Sequence, residues 1–353
     1  MQCISCGTEY GVEHYPVGCP RCFDAGDPAN LRCTYRRSTN DGRLLPLVDP
    51  LTLGAGETPY FRLDDRIGLG SDVWVKDESR NPTGSHKDRF SLGAVGWASA
   101  AGFDTVVAAS SGNAALSISA YCAAHELRCV MAMSHAVPGQ IVDHVRELGA
   151  EVVLVESDED RWTYVADESR NQKSFNATNF VTPVVGSSPF GIEYLKGIAY
   201  EIVAARGTAP DVVVIPSSRG DLAFGVYQGF VDLGVVMPRL YLVEPFPRLH
   251  AVLESNADWR TAFPGDDGRL VSIGGGTTTQ QSVRAARGSG GGAIVVDPAT
   301  ASTWHRTLWT HGHCWEISST AAFAALHLLQ DQGRVHSSET AAVIATSHAF
   351  KGL

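Results

Sequence analysis

The chain has 353 residues, 44% of them apolar and 19% charged, and a net charge of −10. That length allows two domains with large cores, the composition is that of an ordinary globular protein, and the acidic balance argues against a nucleic-acid partner. No apolar run reaches membrane-span length and Met1-Gln2-Cys3 opens no signal peptide, so no membrane partner and a cytoplasmic location are expected, with the eight cysteines serving as thiols or metal ligands.

The first element is Cys3-x2-Cys6 followed by Cys19-x2-Cys22, with Gly7 and Gly18 beside the pairs. Two such knuckles match a four-cysteine zinc ribbon, in which thiolates surround the ion tetrahedrally. A metal-free knob of reduced thiols is the alternative. Arg21 is the one cation nearby, so a structural role is expected over nucleic-acid binding. Cys33 stands apart without an assigned role. Leu53-Gly54-Ala55-Gly56-Glu57-Thr58-Pro59 reads as a turn.

Val73 to Val75 is a short apolar strand. Asn81-Pro82 and Thr83-Gly84 form a loop, which delivers Lys87 to the mouth of a helix running through Phe90, Leu92, Val95 and Trp97. The positive end of the helix dipole disfavours an ammonium there. Lys87 is therefore expected to have a lowered pKa and to suit a Schiff base with an aldehyde cofactor. Spacing alone also allows a surface Lys-Asp-Arg run that caps a helix.

Phe103 to Ala109 is a β-branched strand, Ser110-Ser111-Gly112-Asn113-Ala114 a loop, and Ala115 to Leu127 a helix. Free amides at the helix start make an anion site, and the serines are equally good N-caps. Two further units follow: Arg128 to Met133 with a helix from Gln140 to Leu148, then Glu151 to Glu156 with a helix after Asp158. Such alternation implies a parallel sheet with helices on both faces. Asp211 to Pro216 is a strand apolar enough for burial on both faces. Ser217-Ser218-Arg219-Gly220-Asp221 and a helix from Leu222 to Leu233 complete a phosphate cradle, in which Asp221 must turn away to avoid repelling the anion. Tyr241 to Pro245 is another strand. Ser272 to Gln281 reads as an ordinary flexible loop, with a site lining as the alternative, and Gly288 to Gly292 reads as flexible. Ala341 to Thr346 is the last strand. His311-x-His313-Cys314 is a weak metal candidate.

The segment Lys76-Asp77-Glu78, with Asn81-Pro82-Thr83-Gly84-Ser85-His86-Lys87-Asp88-Arg89, resembles the Lys-Asp-Glu…Asn-Pro-Thr-Gly-Ser-Phe-Lys-Asp-Arg stretch of threonine synthase and its relatives. These are fold-type II, or tryptophan-synthase-β-like, pyridoxal phosphate enzymes. His86 stands where Phe is usual. The resemblance continues through the turn before Pro59, the Ser110–Ala114 loop, Ser188 to Lys196, the 217–221 loop, Trp315 to Ala322, and Thr346 to Lys351. It departs at Gly191, where the family has an arginine thought to help hold the substrate's phosphate. It departs again in the 217–221 loop, where only Gly220 stays in register.

What this implies is an α/β protein of two open, twisted, mostly parallel-sheet domains with the cofactor in their cleft and a small N-terminal zinc ribbon. The expected divisions are residues 1–30 for the ribbon, 31–85 with 186–353 for the larger domain, and 86–185 for the smaller. By the resemblance, Lys87 holds pyridoxal 5'-phosphate as an imine and then acts as the base at Cα. Asn113, Ser217, Ser218, Arg219, Gly220, Asp221 and Thr346 bind the cofactor, with Asn113 beside its phenolic oxygen and Thr346 at its pyridine nitrogen. Ser110, Ser111, Gly112, Asn113 and Ala114 grip the carboxylate of a small amino acid substrate. His86 serves as an extra acid or base or shapes the ring's face, and Cys3, Cys6, Cys19 and Cys22 hold structural zinc. The reaction implied is elimination or replacement at Cβ or Cγ, of threonine synthase type. The loss of the arginine directs attention to other amino acids as well. A cofactor-binding relative without catalysis is a further alternative, and a homodimer is among the expected assemblies.

Overall fold

The computed structural model describes residues 1–35, 44–45, 51–70, 72–110 and 112–352, and every structural statement below is made of these residues. The chain begins with a small unit: β1 (Gln2–Cys3), α1 (Pro20–Asp24) and β2 (Leu31–Arg32), with β1 and β2 antiparallel. Then come β3 (Tyr60–Arg62), β4 (Val73–Asp77) and α2 (Lys87–Ala100). The expected βα alternation follows as β5 (Thr105–Ala109), α3 (Asn113–Ala124), β6 (Arg128–Ser134), α4 (Gly139–Glu147), β7 (Glu151–Val155), α5 (Asp158–Glu168) and β8 (Ser174–Asn176). The chain continues through α6 (Pro189–Tyr194), α7 (Gly197–Arg206), β9 (Val212–Pro216), α8 (Asp221–Leu233), β10 (Arg239–Glu244) and α9 (Leu249–Glu254). It ends with α10 (Gln280–Gly288), β11 (Gly292–Val295), α11 (Pro298–Thr310), α12 (Ile317–Asp331) and β12 (Ala341–Ala345). No helix among the described residues is long and apolar enough to cross a membrane.

Two sheets carry the architecture. One runs β11-β10-β9-β12-β4-β3, parallel except for the antiparallel edge strand β3, and the other runs β7-β6-β5-β8, all parallel. The central strands β9 and β12 are buried at every position, which is why their sequences are unbroken Val, Ile and Ala rather than alternating. In parallel sheets the loops after the strands gather at the carboxyl edge, where ligands bind in open α/β folds. Here those loops are 78–86 after β4, 217–220 after β9, the stretch from Thr346 after β12, and the loops after β5 and β6.

Two sequence expectations shift. The β5 strand begins at Thr105, because Phe103 is drawn into an aromatic cluster with Trp97 and Phe175. The Gly288–Gly292 run is ordered: it closes α10 and opens β11, and Gly288 and Gly291 are required by close packing. A Cβ at Gly291 would lie 2.0 Å from the Leu240 carbonyl oxygen, and one at Gly288 would lie 2.5 Å from the Tyr227 hydroxyl.

Candidate active site

The site is built around the start of α2. The two residues after Lys87 are not a surface run: Asp88 is 0% exposed and Arg89 is 4% exposed. The Asp88 carboxylate accepts from Thr83 N at 2.8 Å, Thr83 Oγ1 at 2.7 Å and Ser117 Oγ at 2.7 Å, so it ties the loop to the helix and to α3. Arg89 donates to Glu78 at 2.7 Å and to both oxygens of Glu201 at 2.6 and 2.7 Å. Lys76 Nζ joins Glu201 at 2.5 Å, giving two cations and two carboxylates in one buried cluster. Burial pushes the Glu78 carboxyl up, but the charge and hydrogen bonds of Arg89 outweigh it and hold it below the usual range. The turn before Pro59 belongs to this cluster too, since Thr58 Oγ1 donates to Glu78 at 2.6 Å and Gly56 N to Asn81 at 2.9 Å. Lys87 is thereby fixed in place by its neighbours in sequence.

Lys87 lies on the wall of a cavity of about 800 Å³, with its Nζ 5.9 Å from the Phe90 ring centre. Burial lowers its pKa, Asp221 opposes that shift, and Arg219 adds to it. The lowering anticipated from the helix dipole is present, with desolvation as its main cause. Every expected cofactor- or substrate-binding residue that the structure describes lines this same cavity: His86, Lys87, Ser110, Gly112, Asn113, Ala114, Ser217, Ser218, Arg219, Gly220, Asp221 and Thr346. Ser111 lies outside the described residues.

Several of these side chains are already committed. Ser110 Oγ accepts from Ala115 N in the first turn of α3 at 3.1 Å, while the N-cap position itself is Gly112. Ser218 Oγ donates to the Gly274 carbonyl at 2.7 Å. Asp221 accepts from Ser187 and Gln281, which turns its charge toward those donors. Arg219 donates from Nε to Thr277 at 3.1 Å and stacks over Trp162 at 5.2 Å. Gly220 has φ +83°, and a Cβ there would lie 2.1 Å from Ser282 Oγ, so only glycine serves at the mouth of α8. His86 sits with Nδ1 3.3 Å from the Thr346 carbonyl oxygen. A ring nitrogen facing a carbonyl must carry the proton, which leaves Nε2 as an acceptor. Burial, and after it the charge of Lys87, hold the His86 ring well below its usual pKa, hence neutral. Thr346 Oγ1 is held at 2.7 Å by Ser319.

Sequence reasoning missed several cavity residues. Lys351 Nζ donates to Asn113 Oδ1 at 2.7 Å, and Glu316 Oε2 accepts from Asn113 Nδ2 at 2.9 Å. Both lie in segments that resemble the family, but nothing in a linear pattern says that they meet on Asn113. Arg161 and Trp162 of α5 line the cavity, as do Ser272, Ile273, Gly274 and Gly275 of the stretch expected to be an ordinary loop. Conversely, Gly191 is not among the lining residues. It sits in the contact between α6 and α2, where a Cβ would lie 2.4 Å from a ring carbon of Phe90 and 2.8 Å from its carbonyl oxygen. Glu193 and Lys196 are buried and paired with each other, and Lys196 also meets Asp232 at 2.9 Å, so the motif surviving there is structural in this chain.

At the N-terminus the Sγ atoms of Cys3, Cys6, Cys19 and Cys22 all lie within 4.8 Å of one another. Cys3 and Cys22 are 3.7 Å apart, and Cys6 and Cys19 are 3.8 Å apart. Four sulfurs bound tetrahedrally at ~2.3 Å would stand about 3.8 Å from each other, so the spacing of this cluster fits a metal ion. It is the one such group of three or more ligands among the described residues. His313 is instead stacked on Trp315 and Phe61, and His311 Nδ1 faces the Thr307 carbonyl. The unit also reaches the cavity wall: Asn30 Nδ2 donates to the Ser187 carbonyl at 2.9 Å and to Gln281 Oε1 at 3.2 Å, and Gln281 in turn holds Asp221.

The family model described as pyridoxal-phosphate dependent enzyme matches residues 51–347. The threonine synthase of Methanosarcina acetivorans is 25% identical, over 99% of this chain and 92% of its own length. Among solved structures, the processed form of threonine deaminase isoform 2 from Solanum lycopersicum superposes with a TM-score of 0.72 at 20% identity, covering 82% of this chain and 79% of that one. O-ureido-L-serine synthase superposes with a TM-score of 0.69 at 21% identity, covering 87% and 93%.

Proposed function

Because the chain belongs to the family of pyridoxal-phosphate dependent enzymes, we propose that it carries out threonine synthase-type elimination or replacement at Cβ or Cγ of a small amino acid, on a substrate without a phosphate leaving group. The observation that carries this reading is a convergence. An amine of lowered pKa, a glycine-led helix start, an amide and a hydroxyl reach one cavity from both sheets. These groups fit pyridoxal 5'-phosphate: Lys87 for its aldehyde, the first N–H groups of α8 with Ser217 and Arg219 for its phosphate, Asn113 for its phenolic oxygen and Thr346 for its ring nitrogen. When bound, the cofactor condenses with amines and takes up the electron pair released at Cα.

The rest falls to this chain's own groups. Lys87 Nζ, neutral more readily than a solvated lysine, accepts the proton leaving Cα and can return it. Gly112 and the N–H groups opening α3 hold the substrate carboxylate. His86, with Nε2 as an acceptor, supplies a neutral base beside Lys87. A threonine hydroxyl, unlike a carboxylate, does not force a facing ring nitrogen to be protonated, which suits elimination and replacement better than transamination.

The exclusion of phosphate is supported by the wall at Phe90. Its ring abuts Gly191 and lines the cavity, so an apolar surface replaces the guanidinium that the resemblance implies. Arg161 on the same cavity favours a second reading, turnover of O-phosphohomoserine as in threonine synthase itself. Steady-state comparison of O-phosphohomoserine with serine, threonine and their O-acyl and O-phospho esters separates the two. A kcat/KM above roughly 10⁴ M⁻¹s⁻¹ for O-phosphohomoserine, within the usual enzyme range, would favour the second. Zinc is the metal that four thiolates suit best for the N-terminal cluster, in a structural role.

A further inference from the structure

We infer that Lys351 and Glu316 are positioning residues that lock the Asn113 amide in one orientation, so that it presents an N–H donor to an anionic ligand oxygen in the cavity. The inference rests on the functional reading above and extends it to groups beyond the reacting centre. Asn113 begins α3, Glu316 precedes α12, and Lys351 follows β12, so three separate segments meet at one amide. Lys351 Nζ stands 2.7 Å from Asn113 Oδ1, Ser347 Oγ donates to the same oxygen at 3.3 Å, and Glu316 Oε2 accepts from Nδ2 at 2.9 Å.

The chemistry of these partners allows one arrangement. An ammonium only donates and a carboxylate only accepts. Flipping the amide would put its NH₂ against Lys351 and its oxygen against Glu316, two repulsive contacts in place of two charge-assisted bonds. Glu316 is itself held, since Ser272 Oγ donates to its other oxygen and its backbone N–H donates to the Ser347 carbonyl. One Nδ2 hydrogen goes to Glu316. No acceptor among the described residues takes the second, and Asn113 lines the cavity. Lys351 is packed with Cε 2.7 Å from where a Cβ on Gly84 would stand, so a side chain at position 84 would push the lysine off the amide. The charged and titratable groups around Lys351 are Glu316, Asp88, His86 and His348. Burial lowers its pKa to about 8, with Glu316 and Asp88 opposing, so it is mostly an ammonium at neutral pH.

The test is a pH titration of the visible absorption band of the purified holoenzyme, for wild type and for Lys351→Met, Lys351→Arg, Glu316→Leu and Asn113→Ala. A donor to the phenolic oxygen favours its anion, so losing the oriented N–H should raise the midpoint. The expected shift is about half a pH unit to one unit, the size of one hydrogen bond. Lys351→Met and Glu316→Leu, which removes the acceptor, should move the midpoint in the same direction as Asn113→Ala while keeping full cofactor content. Lys351→Arg, which retains a cationic donor, should stay near wild type. A Lys351→Met midpoint at the wild-type value while Asn113→Ala moves would overturn the inference. So would equal shifts for Lys351→Met and Lys351→Arg. A wild type that shows no visible band with added cofactor would overturn the functional reading first, and this inference with it.

Discussion

Gly191→Ala measures directly how the α2–α6 contact excludes a side chain from the position where the resemblance implies an arginine. The new Cβ would stand 2.4 and 2.5 Å from two ring carbons of Phe90 and 2.8 Å from its carbonyl oxygen. Comfortable contact begins near ~3.5 Å. The ring can swing aside, but the oxygen belongs to the α2 backbone, so the two helices must separate by several tenths of an ångström. Overpacking of this kind costs about 1–3 kcal/mol, and alanine's helix preference over glycine returns up to about 1. The expected net loss is about 1–2 kcal/mol, read as a fall of a few degrees in the thermal midpoint of the holoenzyme. In a Phe90→Ala background the two ring contacts vanish and, of the three nearest atoms, the carbonyl remains, so the cost of Gly191→Ala should shrink by about 1 kcal/mol, a coupling typical of touching residues. Gly191→Arg should be worse than alanine and should not improve turnover of O-phosphohomoserine. A Gly191→Ala protein as stable as wild type, or a cost unchanged by Phe90→Ala, would refute the reasoning.

Lys87→Ala should abolish both the visible band and turnover, checked by absorbance and by product assay. Arg89→Met removes one cation from a buried balanced pair of pairs and should cost about 3–5 kcal/mol, seen as a lower thermal midpoint together with cofactor loss. Metal analysis should find one zinc per chain, and Cys3→Ser with Cys22→Ser should find none. His14 packs against Phe175 with ring centres 4.7 Å apart, and burial lowers its pKa to about 4 from 6.5. Below pH 6.5 the unfolded chain takes up that proton first, so stability falls as pH drops from 6.5 through about 4. The loss totals about 3 kcal/mol, by 2.5 units at ~1.36 kcal/mol each. His14→Phe should flatten that part of the stability profile, measured as the difference from wild type.

The βα alternation from Thr105 to Glu168 was legible because each element announces its own period and its turn residues locally. The candidate lysine was legible because a cation at a helix mouth is a local oddity, and the cysteine knuckles because metal spacing is short-range. What could not be read is whatever depends on a partner far away in the chain. Nothing near Gly191 says that its neighbour is the Phe90 backbone, 101 residues earlier (191 minus 90). Asn113, Glu316 and Lys351 each sit in an ordinary local context, and the amide becomes polarised only when three segments close on it. The Ser272–Gln281 stretch looked like a mere connector because glycine and hydroxyl residues serve turns and cavity walls alike. Asp221 looked like a liability for an anion because its compensating donors, Ser187 and Gln281, lie 34 and 60 residues away.

Asn30 and Gln281 stand in series between the cysteine cluster and Asp221. Cys19 N donates to the Ala29 carbonyl at 2.8 Å, one residue before Asn30, so the knuckle's backbone and the side chain that braces the cleft share a single short span. A metal ion clamping the thiolates would stiffen that span, and stripping the ion would slacken it. Asp221 would then be left with its hydrogen bonds from Ser187 alone, and a carboxylate less firmly turned away at the mouth of α8 would disfavour a phosphate there. Treatment with a chelator would then register as faster escape of the cofactor, a drain on holoenzyme lifetime arising at a site the substrate never visits.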